Sequence, residues 1–157
     1  MSLLRPRSQR LSTITLSASL LLVLSSAATV AIASEPLQLR TDRTEVRGTR
    51  EVESGNYQAG IQKLQATLKR TSKAHGRAPI LNNLCVAYIA TQDLDNAFDY
   101  CEQAVQNGRN LSVAYNNRGV LRVVTGQPGE GIADLHIANI YSNDFGVAKS
   151  NLARLAD

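Results

Sequence analysis

The chain has 157 residues, 4% aromatic residues, no tryptophan and a formal net charge of +4. Three of its positive charges, Arg5, Arg7 and Arg10, lie with no acidic residue in the first 33 positions, so the remaining 157 − 33 = 124 residues carry only +4 − 3 = +1. That is one domain's worth of chain, with too little net charge to make nucleic acid or an anionic membrane its main partner.

The three arginines form a positive n-region ahead of an apolar stretch, Leu11 to Leu24, broken only by Ser and Thr. Ala31-Ile32-Ala33 then supplies the small-x-small pattern of a signal-peptide cleavage site. Cleavage is predicted after Ala33, and Ser34 then starts the mature chain; the alternative is an uncleaved anchor. No Cys lies near that point and the arginines are not adjacent, which argues against lipid-anchored and twin-arginine precursors. The expected organisation is a signal peptide at 1–33, a linker at 34–43 and a helical domain at 44–157. The expected location is the periplasm, or otherwise the exterior, with no integral membrane segment left after cleavage.

Three helical units and a cap are predicted along the domain, at about 44–77, 78–111, 112–145 and 145–156. The first unit is degenerate by itself. It aligns with the third without gaps at an offset of 71, matching Arg47-Gly48 to Arg118-Gly119, Gly55 to Gly126, Gly60-Ile61 to Gly131-Ile132 and Leu64 to Leu135. A basic stretch follows, with Lys69, Arg70, Lys73, His75 and Arg77, read as a solvated linker with contact to an acidic partner as the alternative. In the second unit Leu81, Leu84, Cys85 and Tyr88 are spaced i, i+3, i+4, i+7, and Ala97, Cys101 and Ala104 mark a second helix. Asp93 is a natural N-cap between them. The third unit repeats Tyr115, Gly119, Leu135 and Ala138 at an offset of 34, with Gly126 at the turn and Pro128 in the first turn of its second helix. Residues 145–155 carry a helical apolar pattern without a second helix, as a terminal cap would.

The period of 115 − 81 = 34, taken with Leu81-x2-Leu84-Cys85-x2-Tyr88 and then Ala97-x3-Cys101, resembles the tetratricopeptide repeat family. The resemblance implies an all-α, right-handed solenoid of antiparallel helix hairpins, used as a scaffold for protein binding. The third unit departs from the family pattern at Arg118, Arg122 and Gly131, and none of the three units has the family's closing proline.

Cys85 and Cys101 fall at the same level on facing helices, each about 9 to 11 Å from the hairpin turn at 1.5 Å per residue. They form a candidate disulfide in an exported protein, the alternative being two free thiols packed at a close helix contact. Arg118 and Asp134, each eight residues from Gly126, are expected to pair across the third hairpin.

Catalytic chemistry is not expected. His75 and His136 have no metal-ligand partner at a suitable spacing, and no phosphate loop or nucleophile with a paired base is present in the sequence. No enzyme activity, metal or cofactor is therefore predicted. A hydrolase built on His136 and Asp134 has only sequence adjacency behind it. Asn110-Leu111-Ser112 matches a glycosylation sequon, but Asn110 is read as a helix cap.

The first helix of each unit has a second face, which the family resemblance assigns to a groove. That face holds Asn82, Asn83, Val86 and Ile89 in the second unit and Asn116, Asn117, Val120 and Val123 in the third. A side-chain amide offers an acceptor and two donors, so Asn83 and Asn117 can hold the backbone of an extended peptide whatever its sequence. The first unit's Glu45, Val46, Thr49, Val52 and Glu53 suggest a ligand with a positive end there. The expected role is an exported module that binds a peptide or helix of an envelope or secreted protein as adaptor or assembly factor. The alternative is a structural, self-associating envelope subunit, such as a homodimer, with no peptide ligand.

Overall fold

The computed structural model describes residues 35–42, 46–108, 110–142 and 146–156. The predicted signal peptide and Glu45 lie outside them. The described residues form seven helices and no strand: α1 (Thr49–Glu53), α2 (Tyr57–Arg70), α3 (Ala74–Ala90), α4 (Leu94–Gln106), α5 (Leu111–Val124), α6 (Pro128–Ile140) and α7 (Val147–Leu155). The helices pair as α1–α2, α3–α4 and α5–α6, and α1, α3, α5 and α7 also touch one another in order, forming one row. Among the described residues no helix is long and apolar enough to cross a membrane.

One turn chemistry closes all three hairpins. Asn56, Asp93 and Gln127 donate their backbone N–H to the carbonyls of Glu51, Tyr88 and Arg122, and Gly55, Gln92 and Gly126 donate to Val52, Ile89 and Val123. This double bond pattern stops a helix by turning one residue left-handed, and Gly55, Gln92 and Gly126 have φ of 81°, 60° and 86°. Glycine adopts that conformation freely, whereas Gln92 pays a steric penalty of about 1 kcal/mol. Its side chain recovers part of this by donating to the Ile89 carbonyl at 3.2 Å. Gln92→Gly is expected to stabilise the protein by about 0.5 kcal/mol, the penalty less that bond, read as a raised denaturation midpoint. The helices that follow begin on Asp93, whose carboxylate accepts from Asn96 N at 3.4 Å, and on Pro128 at the first helical position.

The first and third hairpins share a close approach. A Cβ on Gly60 would lie 2.7 Å from Val52 Cγ2, and one on Gly131 2.5 Å from Val123 Cγ2, with the carbonyls of Gly48 and Gly119 close behind. The offset of 71 relates each pair. The first hairpin differs in its shortened first helix, which starts at Thr49 after a left-handed Gly48 (φ 111°), whereas α5 begins nine residues earlier in register, at Leu111.

Of the basic stretch only residues 71–73 lie between helices, since Lys69 and Arg70 end α2. α3 begins at Ala74, and the Arg77 guanidinium donates to the carbonyls of Leu68 and Thr71, at 3.3 and 3.1 Å. It caps the end of α2, where free carbonyls favour a cation. Asn110 departs from its expected role as well: it occupies the N-cap position of α5 without a capping bond, and its amide donates to the Asp42 carboxylate at 3.4 Å.

The main core sits around α3, which is buried from Ala78 to Ile89 on all sides. Leu64, Ile80, Leu84, Ala97 and Leu121 pack together there. Cys85 and Cys101 are joined by a disulfide between α3 and α4, with Cα atoms 4.8 Å apart. A cross-link closing a loop of this length contributes about 3 kcal/mol, chiefly by restricting the unfolded chain. Cys85→Ser/Cys101→Ser is expected to lose about that much in urea denaturation, partly because two hydroxyls are then buried in an apolar contact.

Candidate functional site

Residues 35–42, read from sequence as part of a linker, instead run as an extended strap across the row of α1, α3, α5 and α7. From Gln38 on, every second residue of the strap has both its N–H and its C=O bonded by the same asparagine. Gln38 N donates to Asn151 Oδ1 at 2.8 Å, and Asn151 Nδ2 returns a bond to Gln38 O at 2.9 Å. Asn117 does the same for Arg40, at 2.9 and 2.7 Å, and Asn83 for Asp42, at 2.7 and 3.3 Å. The three rungs are separated by 117 − 83 = 34 and 151 − 117 = 34 residues in the array, and by two residues along the strap. The strap's period of two is that of extended chain, in which alternate residues present the same edge.

A second set of amides ties the rungs together. Asn82 donates to Arg40 O at 3.3 Å and accepts from Asn117 at 3.0 Å. Asn116 donates to Gln38 O at 3.1 Å and accepts from Asn151 at 3.0 Å. At the other end Asn83 donates to Thr49 Oγ1 at 2.8 Å. Asn83, Asn117 and Asn151 are fully buried, and such amides are tolerated inside a protein only when their donors and acceptors are used.

The strap's leucines anchor it between the rungs. Leu39 packs against both the core around α3 and the cluster of Val120, Leu135, Ala138 and Ala148, and Leu37 packs against the latter. At the ends, Glu35 pairs with Arg154 at 2.6 Å, and the Thr41 hydroxyl donates to Glu53 at 2.7 Å. The strap's residue nearest the first hairpin is Asp42, so an acidic rather than a positive group occupies that end.

Of the sequence-predicted groove residues, Asn82, Asn83, Asn116 and Asn117 meet the strap or one another, and Val86 and Val120 are buried in the clusters its leucines touch. Ile89 is buried in the same cluster as Val86, whereas Val123 is half-buried and sits against Gly131 within the third hairpin. A step of three residues rotates a helix position by about 60°, enough to leave the groove face for the hairpin face. Asn151 and the strap itself were missed. The signal for Asn151 is the same period of 34, carried into α7 by Ser150-Asn151 in place of Asn-Asn.

On the far side of α5, Asp134 is buried and accepts from Arg118 Nε and Nη2 and from Arg122 Nη1, each at 2.8 Å. Arg118 also reaches Glu102 of α4 at 2.6 Å and lies over the Tyr115 ring. Burial raises the Glu102 carboxyl, but Arg118's hydrogen bond and charge outweigh it and hold the group below its usual range. The same pairings keep Arg118 fully charged. Asp134 is occupied by two arginines, and His136 is exposed on the outside of α6. Among the described residues no group of three His, Cys, Asp or Glu side chains is placed to hold a metal ion.

No protein-family model matches the chain, and no curated protein matches it as a relative.

Proposed function

We propose that the protein is an exported interaction module of tetratricopeptide-repeat type, a right-handed solenoid that holds an extended segment of an envelope or secreted protein as adaptor or assembly factor. The observation that supports this reading is the asparagine ladder, which bonds to N–H and C=O of alternate residues and so grips a backbone rather than a sequence. In the free protein the chain's own strap fills the groove, and a client segment takes its place. The ladder bonds a peptide without altering it, and the reading assigns the protein no reaction.

Affinity capture from a cell-envelope extract tests this, with the intact chain run beside Asn83→Ala/Asn117→Ala. A client kept by the intact chain, lost from the variant and mapped by overlapping peptides to one extended segment is the expected result. Equal retention by both chains would remove the groove from the function. A second reading, self-association through the third hairpin, draws on the exposed Val124, Ile140 and Tyr141. A mass in solution that rises with concentration and falls with Ile140→Lys would favour it.

A further inference from the structure

The strap shows what the groove reads beyond a backbone. Its outward residue Gln38 is exposed, while Leu37 and Leu39 enter the two apolar clusters and Asp42 is buried beside the Asn110 amide. At the opposite end Arg154 donates Nη2 to Glu35 and Nη1 to Ser150 Oγ, at 2.6 and 2.5 Å. Its Nε is the one buried side-chain polar atom without a hydrogen-bond partner among the described residues. The resident Glu35 therefore leaves the buried Nε–H of that guanidinium without a partner, and a carboxylate taken by two parallel bonds would fill it. The two ends are chemically distinct, a guanidinium at α7 and an amide at the start of α5, so the site has a direction as well as a spacing.

We propose that the groove accepts, from another protein, an extended segment of the pattern acid-x-apolar-x-apolar-x-x-Asp, running from α7 toward α1, for which Glu35 to Asp42 is the built-in competitor. The proposal rests on the peptide-holding reading above and adds its specificity. Apolar side chains two residues apart fall on one side of an extended chain, matching the paired clusters, while the ladder takes the main chain between them. A client with the same pattern and a better-placed acid at its first position would displace the strap, because it would use the Arg154 donor that Glu35 leaves free.

The test uses the peptide Glu-Pro-Leu-Gln-Leu-Arg-Thr-Asp with a fluorescent label, the same peptide with both leucines changed to serine, and the full chain in intact and Leu37→Ser/Leu39→Ser forms. The strap-weakened chain should bind the parent peptide at least tenfold more tightly than the intact chain does, and should bind the serine peptide at least tenfold more weakly than the parent. Equal binding of both peptides by the strap-weakened chain would overturn the pattern and leave backbone holding in place. Equal binding of the parent by both chains would overturn the competitor role. No binding of either peptide by a strap-weakened chain with native circular dichroism would overturn the proposal and the peptide-holding reading together. Should the double serine variant lose its helical signal, Arg40→Pro replaces it: that change removes the donor to Asn117 and keeps the leucines, and the same comparisons decide.

Discussion

Asn117→Ala should lower the unfolding free energy by about 2 to 4 kcal/mol. The amide accepts from Arg40 N and from Asn116, and donates to Arg40 O and Asn82 Oδ1, so its removal disturbs the strap and two neighbouring helices at once. Arg40 O and Asn116 keep second partners, from Asn82 Nδ2 and at Gln38 O. The groups stranded outright are Arg40 N and Asn82 Oδ1, and an unsatisfied buried group costs about 1 to 3 kcal/mol. Release of the strap limits the damage, because water can then reach the ladder. Two measurements separate the contributions: urea denaturation gives the total, and the rate of tryptic cleavage after Arg40 reports strap release. A midpoint shift no larger than that of an exposed control such as Asn139→Ala, with unchanged cleavage, would show that the ladder holds nothing.

The second large effect is expected at Asp134→Ala, with a loss of about 3 kcal/mol. The Asp134 side chain is 3% exposed and those of Arg118 and Arg122 are 12% and 24% exposed, so removing the carboxylate strands two cations in a poorly solvated place. The loss falls below the extreme for a buried pair because Glu102 still holds Arg118 and Glu130 lies 3.8 Å from Arg122. The network crosses from α4 through α5 to α6, so it couples the second hairpin to the third. Thermal unfolding of Asp134→Ala and of Arg118→Met/Arg122→Met/Asp134→Leu should differ, the apolar triple variant being the more stable. Equal stability of the two would mean that the arginine heads reach solvent and need no acid.

The repeat was legible because hairpins of similar length stack on a common spacing, which stamps the sequence with identical pairs at Asn82-Asn83 and Asn116-Asn117. Gly60 and Gly131 were legible for a related reason, since a helix that must approach another at van der Waals distance keeps glycine at the crossing. The strap was not legible. Leu37 and Leu39 alternate over too short a stretch to announce a strand, and the strap's hydrogen bonds go to side chains up to 151 − 38 = 113 residues away. Nothing local encodes such a partner. Asp93 marked the second turn, but its left-handed residue Gln92 was not legible, since a residue other than glycine in that conformation leaves no compositional mark, and the first unit looked weak because its opening helix is cut short.

The rung between Gln38 and Asn151 makes the array a closed loop in contact space. A stack of hairpins joined only to neighbours can fray from either end, and its folding can start anywhere and spread. Here the earliest described segment is fastened to the last described helix, so α7 cannot fray without loosening the strap, and the strap cannot settle fully until α7 exists. During synthesis the strap segment leaves the ribosome before every one of its asparagine partners, and Asn151 follows Gln38 by 113 residues. Docking of the strap is therefore completed only once α7 has been made, and until then the rung at Asn151 is missing.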